Sequence, residues 1–110
     1  MKKKSKKTIE REKYKEWREK VLGRDSYKCQ MCKRTTGILN AHHIIPKQFK
    51  EFIYDEDNGI TLCFQCHRVN KYSAHQNAVF FSRWLQAVKP MQYAYVITKL
   101  NGMCKEWDKQ

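Results

Sequence analysis

Two cysteine pairs and a doubled histidine are the parts of this 110-residue chain whose types and spacing could do chemistry. Cys29 and Cys32, with Cys63 and Cys66, form the pattern C-x2-C-x30-C-x2-C. Zinc takes four soft donors in a tetrahedron, and a two-residue spacer lets a tight turn offer two thiolates to one ion. The pattern points to one closed, structural zinc site. Four buried free thiols seldom come in two matched pairs, and a thioredoxin-like redox pair would need a βαβ surround that neither pair has. Cys104 is left over as a free thiol.

His42 and His43 stand side by side in the run AHHIIP. On a strand, neighbouring side chains leave on opposite faces, so the two are poorly placed to chelate one ion together. A division of labour fits better, with one histidine turned to a metal and the other to a water. An imidazole with a pKa near 6.5 is a suitable base at neutral pH. Two ordinary strand histidines, one buried and one exposed, are the plainer alternative. Asn58 precedes the segment ITLC, and His67 directly follows Cys66. A zinc ion on the four cysteines would bring His67 towards the doubled histidine, 24 residues away in the chain. His67 could also serve as a zinc ligand in place of a cysteine. His75 shows no partner in the sequence and reads as structural or solvent-exposed, on a later helix.

The elements that must position these residues are short. Tyr14, Trp17 and Val21 share a helical face, Thr8 can cap its start and Gly23 fits just past its end, which predicts a helix over 9–22. Trp17 reads as core. Residues 38–45 are partly β-branched and bounded by Gly37 and Pro46, which predicts a strand. ITLC, residues 60–63, reads as its return strand, joined through a long loop. The segment from Phe64 reads as a short helix, and residues 74–88 as a stronger one closed by Pro90, with Ala78, Phe81, Leu85 and Val88 on one stripe. The last segment leans helical through Val96, Ile97 and Leu100.

Composition bounds the partners. The chain is 41% hydrophobic and carries 23 basic against 11 acidic residues, a formal net charge of +12. Residues 1–34 hold 14 of the basic and 5 of the acidic residues. A basic excess gathered on one segment suggests a polyanion, most often nucleic acid. The tail MKKKSKK could contact DNA or merely aid solubility, and reads as disordered over residues 1–8. No apolar run approaches the roughly 20 residues of a membrane span, and no signal peptide is visible, so a soluble, cytoplasmic protein without a membrane partner is expected.

AHHIIP, then DNGITLC, then CH, framed by the two CxxC pairs, resembles the HNH endonucleases of the ββα-metal class. EWREKVLGRDSYKCQMC also looks like the helix-then-knuckle lead-in of their zinc-stabilised branch. The likeness covers about residues 17–71. It implies an α+β fold: a small ββα-metal core with a structural zinc site, flanked by N-terminal and C-terminal helices in one domain over 9–110, its helical extension over 74–110. It implies roles too: His43 as general base, His42 and His67 as ligands of a catalytic divalent metal (Mg2+, Mn2+, Ni2+ or Zn2+), and Asn58 holding the loop or the base histidine in place. Two departures stand out. His42 occupies a position where many members have aspartate, which favours softer divalent ions over magnesium. Some relatives carry a further histidine one helical turn after the second ligand; here that residue is Lys71, leaving two protein ligands.

The resemblance implies hydrolysis of double-stranded DNA, nicking or cutting, to 5′-phosphate and 3′-hydroxyl ends. Arg68 and nearby lysines could grip the backbone, though Arg68 reads equally well as a surface residue. Two other readings stay open. One is a zinc module that binds nucleic acid without cutting it. The other is an accessory nuclease of a larger phage or bacterial complex, active only within it.

Overall fold

The computed structural model describes residues 3–103; Cys104 lies outside them. The first helix, α1 (Lys6–Arg24), starts three residues before the expected point because Ser5, not Thr8, caps it. The Ser5 Oγ accepts from the Thr8 N–H at 3.2 Å, satisfying one of the helix's unpaired amides. Lys6, Lys7 and Thr8, read as part of the tail, are helical. Gly23 lies inside the helix rather than beyond it. The stop comes at Ser26 and Tyr27, whose φ values of 57° and 52° turn the chain into the left-handed region. Of the expected face, Trp17 and Val21 are buried and Tyr14 stays exposed.

The strands β1 (Leu39–His43) and β2 (Gly59–Cys63) pair antiparallel, with His42 opposite Ile60 and His43 opposite Gly59. β1 is shorter than the apolar run around it. Ile44 and Ile45 leave the ladder because their N–H groups donate to the backbone oxygen and Oδ1 of Asn58, at 3.0 and 2.6 Å. The loop between the strands carries two short 3-10 turns, Lys50–Phe52 and Glu56–Asn58.

The ribbon is covered on both faces. Trp17 and Val21 of α1 pack with Ala41 on one. Ile60 and Leu62 meet Phe81 and Leu85 of α2 (Ala78–Val88) on the other. Gly59 is what lets α1 come so close: a Cβ there would lie 2.7 Å from Trp17 Cζ2 and would also strike Val21. Arg24 then stitches the helix end to the ribbon, donating to Glu56 O at 2.8 Å and Gly59 O at 2.7 Å, while Asp25 accepts from the Thr61 N–H at 2.9 Å.

After β2 the chain makes a five-residue π-helical turn, Gln65–Val69, shorter than the helix expected there. α2 begins at Ala78 rather than 74, because the Asn77 side chain accepts from the Phe80 N–H and caps it. Of its predicted stripe, Phe81 and Leu85 are buried, while Val88 is 49% exposed. Pro90 opens α3 (Pro90–Met103), where its fixed φ and missing N–H cost nothing. The architecture is α+β: a two-stranded sheet and a helical turn, flanked by N-terminal and C-terminal helices. No helix among the described residues is long and apolar enough to cross a membrane.

Candidate active site

The cysteines converge first. The Sγ atoms of Cys29, Cys32, Cys63 and Cys66 all lie within 4.8 Å of one another. Cys32 and Cys63 sulfurs are 3.6 Å apart, far beyond the roughly 2.05 Å of a disulfide. Each pair sits on a turn whose own backbone serves the sulfur: the Cys32 N–H donates to Cys29 Sγ and the Cys66 N–H to Cys63 Sγ, each at 3.5 Å. Lys33, at φ 69°, completes the first turn. Burial pushes the Cys29 thiol up, but backbone N–H donors around it outweigh this and bring it down to about 7. Burial and the sulfurs crowded beside them raise Cys32 and Cys66. Four thiols so packed cannot all ionise without a cation among them, and a set of four sulfurs in this arrangement fits a metal ion.

A second cluster forms on the α2 side of β1. His42 Nδ1 lies 3.1 Å from His67 Nε2, which lies 3.0 Å from His75 Nε2. The three nitrogens are within 4.8 Å of one another, and no carboxylate belongs to the group. The Phe81 ring meets the His42 ring edge-on at 5.2 Å and backs it against α2. Burial, then the charges His67 and His75 would carry, lower the His42 pKa to about 3. Burial and His75, with Arg68 and Lys47 nearby, lower His67 to about 4. Both rings are therefore neutral at pH 7 and keep a lone pair for a cation. Buried His67 Nδ1 has no hydrogen-bond partner among the described residues. Three neutral imidazoles turned to one point suit a divalent ion of the softer kind.

His43 leaves the strand on the other face, as the alternation of a strand requires. Its ring lies flat against the Trp17 indole, centroids 3.9 Å apart and planes 9° apart. Tyr14 follows at 6.2 Å. His43 Nε2 is 2.8 Å from the Ile53 carbonyl oxygen. A carbonyl can only accept, so Nε2 carries the proton and Nδ1 keeps the lone pair. Burial lowers the His43 pKa; the Ile53 contact opposes that and Lys47 adds to it.

Asn58 holds the loop rather than the imidazole. Besides accepting from the Ile45 N–H, its amide donates to Ile45 O at 3.1 Å and Phe52 O at 3.0 Å. The Trp17 indole N–H donates to Asp55 O at 2.7 Å. Asn58 and Trp17 thus fix the loop that presents Ile53 to His43.

The two histidine faces open on one cleft of about 1030 Å3, lined also by Tyr14, Lys47, Arg68 and Phe81 and, among the described residues, by no acidic side chain. His42, His43 and His67 all line it; Asn58 stands behind, fully buried. His75 is exposed, as expected, but the rest of its sequence reading is corrected: it is not on the later helix, and it has two histidine neighbours. Its N–H donates to His67 O at 3.0 Å and the Ala74 N–H to Cys66 O at 2.9 Å, so the chain folds back after the π-helical turn and delivers a third nitrogen. Lys71 is not its substitute, and a chain reversal held by backbone bonds left no periodic spacing in the sequence to reveal it. Ile53 offers only a backbone oxygen and left no trace in the sequence.

Residues 29–72 match the family model described as HNH endonuclease. No curated protein and no solved structure matches the chain. The matched segment begins at the first clustered cysteine and contains all four, along with both strands and His42, His43, Asn58 and His67. Over those residues the chain is similar to the HNH endonucleases, and its four cysteines are positioned to bind a metal ion, as in a zinc-stabilised member.

Proposed function

We propose that this chain is a metal-dependent endonuclease that hydrolyses DNA phosphodiester bonds. The observation that carries the reading is the 2.8 Å contact of His43 Nε2 with Ile53 O: a carbonyl only accepts, so the proton sits on Nε2 and the Nδ1 lone pair is left to take another. That base stands across one strand from the three-imidazole cluster, on a cleft without acidic side chains among the described residues. His43 Nδ1 accepts a proton from water as the water oxygen bonds to phosphorus in line. The bond to the 3′ oxygen breaks with its electron pair passing to that oxygen, which takes a proton from solvent water, leaving 5′-phosphate and 3′-hydroxyl ends. Trp17 and Ile53 keep the imidazole oriented, and Asn58 is a positioning residue. His42, His67 and His75 would hold the divalent ion, which when bound neutralises phosphate charge and stabilises the leaving oxygen. Lys47 and Arg68 supply fixed cations for the backbone. The four cysteines would hold a structural zinc ion.

The test is supercoiled plasmid incubated with the protein and Mg2+, Mn2+, Ni2+ or Zn2+, with and without a chelator. Nicking is expected with at least one ion and is absent for His43→Ala. No nicking with any ion, or nicking by His43→Ala at the wild-type rate, defeats the catalytic reading. Plasmid bound but never cut would leave a binding module, and cutting only alongside a partner would make it an accessory subunit.

A further inference from the structure

Tyr72 and Phe80 form the one aromatic pair among the described residues in which both rings are exposed, at 46% and 39%. Their centroids are 4.7 Å apart, and the Lys71 ammonium stands 5.1 Å from the Tyr72 ring. Neither ring belongs to either buried cluster. We propose that this Tyr72–Phe80 platform, with Lys71 beside it, stacks unpaired bases of single-stranded DNA next to the histidine cleft.

Three features choose that occupant. The first is charge: residues 59–103 contain no aspartate or glutamate, and Arg68 and Lys71 come just before Tyr72 in the chain. A surface of this kind fits a polyanion. The second is chemistry. Exposed aromatic rings beside a cation are how proteins hold single strands, because every base has a face to stack and the backbone needs a counter-charge. A closed duplex keeps its base faces covered. The third is place. Tyr72 precedes His75 by three residues within one compact turn, closed by Ser73 N–H to Asn70 O at 3.0 Å and His75 N–H to His67 O at 3.0 Å. Consecutive Cα atoms are about 3.8 Å apart, so Tyr72 and His75 Cα atoms lie at most about 11 Å from each other. That is about three steps of a DNA strand. The inference rests on the nucleic-acid reading of the cleft and refines it: the substrate is a junction, flap or gap with unpaired bases beside the cleavage point.

The experiment reads binding, not cutting. The affinity of the zinc-loaded full chain for fluorescent oligo-dT and for a blunt duplex is measured by anisotropy with no further divalent ion. Tyr72→Ala and Phe80→Ala should each weaken oligo-dT binding about ten-fold, with duplex affinity unchanged within about two-fold. Tyr72→Trp should keep oligo-dT affinity. Melting temperature and zinc content check that the variants fold. A strand containing 2-aminopurine should lose fluorescence on wild-type protein, a reading that needs no variant. Equal losses on both DNAs, no loss on either, or no quenching overturns the proposal. So does a platform whose alanine variants only dissociate a dimer in sedimentation. A chain that binds duplex alone defeats the platform and leaves the nuclease reading intact. One that binds oligo-dT as expected but never nicks plasmid does the reverse.

Discussion

The molecule carries two clusters of metal-ligating side chains, and they are built differently. The cysteines arrive in two local pairs, each on a turn whose own N–H groups serve the sulfurs, and three of the four are buried. The histidines arrive singly from a strand, a π-helical turn and the loop after it, and line an open cleft. A set of four sulfurs completes an ion's coordination and leaves it no chemistry. A set of three nitrogens leaves positions for water and substrate. The first arrangement suits holding the chain together, the second suits acting on something outside it.

That contrast can be broken by substitution. Cys63→Ser should have the largest effect, because a structural zinc in a small domain carries on the order of 10 kcal/mol of folding free energy. Circular dichroism and bound zinc should both collapse; a variant that keeps its native melting temperature and one zinc would erase the distinction. His43→Ala should leave the melting temperature and zinc content near wild type while plasmid nicking falls roughly 10²- to 10⁴-fold, the usual share of a general base. A parallel loss of folding would mean that the Trp17 stack matters more to the core than to the cleft. His75→Ala should be milder. It should raise the divalent-ion concentration for half-maximal nicking roughly ten- to a hundred-fold, at least what a ligand's outer partner is worth, and spare the cysteine-bound zinc. An unchanged ion requirement would return His75 to a bystander.

The smallest effect is on acid stability. Folded His42 and His67 titrate at about 3 and about 4, below the ordinary 6.5 of an unfolded histidine. Between those values the unfolded chain binds protons that the folded cluster refuses. Their contribution is whole above pH 6.5 and is lost as pH falls to about 4 for His67 and about 3 for His42. Urea midpoints taken across that window without added divalent ion should decline, and His42→Leu should flatten the slope by about one proton. An unaltered slope would show that the cluster does not exclude protons.

The same contrast explains what could be read from the sequence. The cysteine site was legible because its spacing is short and repeated. The doubled histidine was legible because it sits on a strand bounded by Gly37 and Pro46, and alternation alone separates its two side chains. His75 was not, since it is delivered by a chain reversal with no periodicity, held by backbone bonds to Cys66 and His67. Asn58 was legible as a holder, but what it holds (Ile45 and Phe52) are backbone groups that any residue would offer. Capping decided the helix boundaries: Ser5 and Asn77 won over Thr8 and the apolar pattern from residue 74.

The bare α-carbon of Gly59 has a consequence for modularity. Sequence similarity starts at residue 29, yet the ring that lies on His43 belongs to residue 17, brought there through the gap that Gly59 leaves. Homology and packing therefore draw the unit's border in different places. A segment transplanted at the homology border would carry every matched histidine and still arrive with the His43 ring uncovered on one side. The smallest portable cassette of this protein has to include the helix upstream of the match.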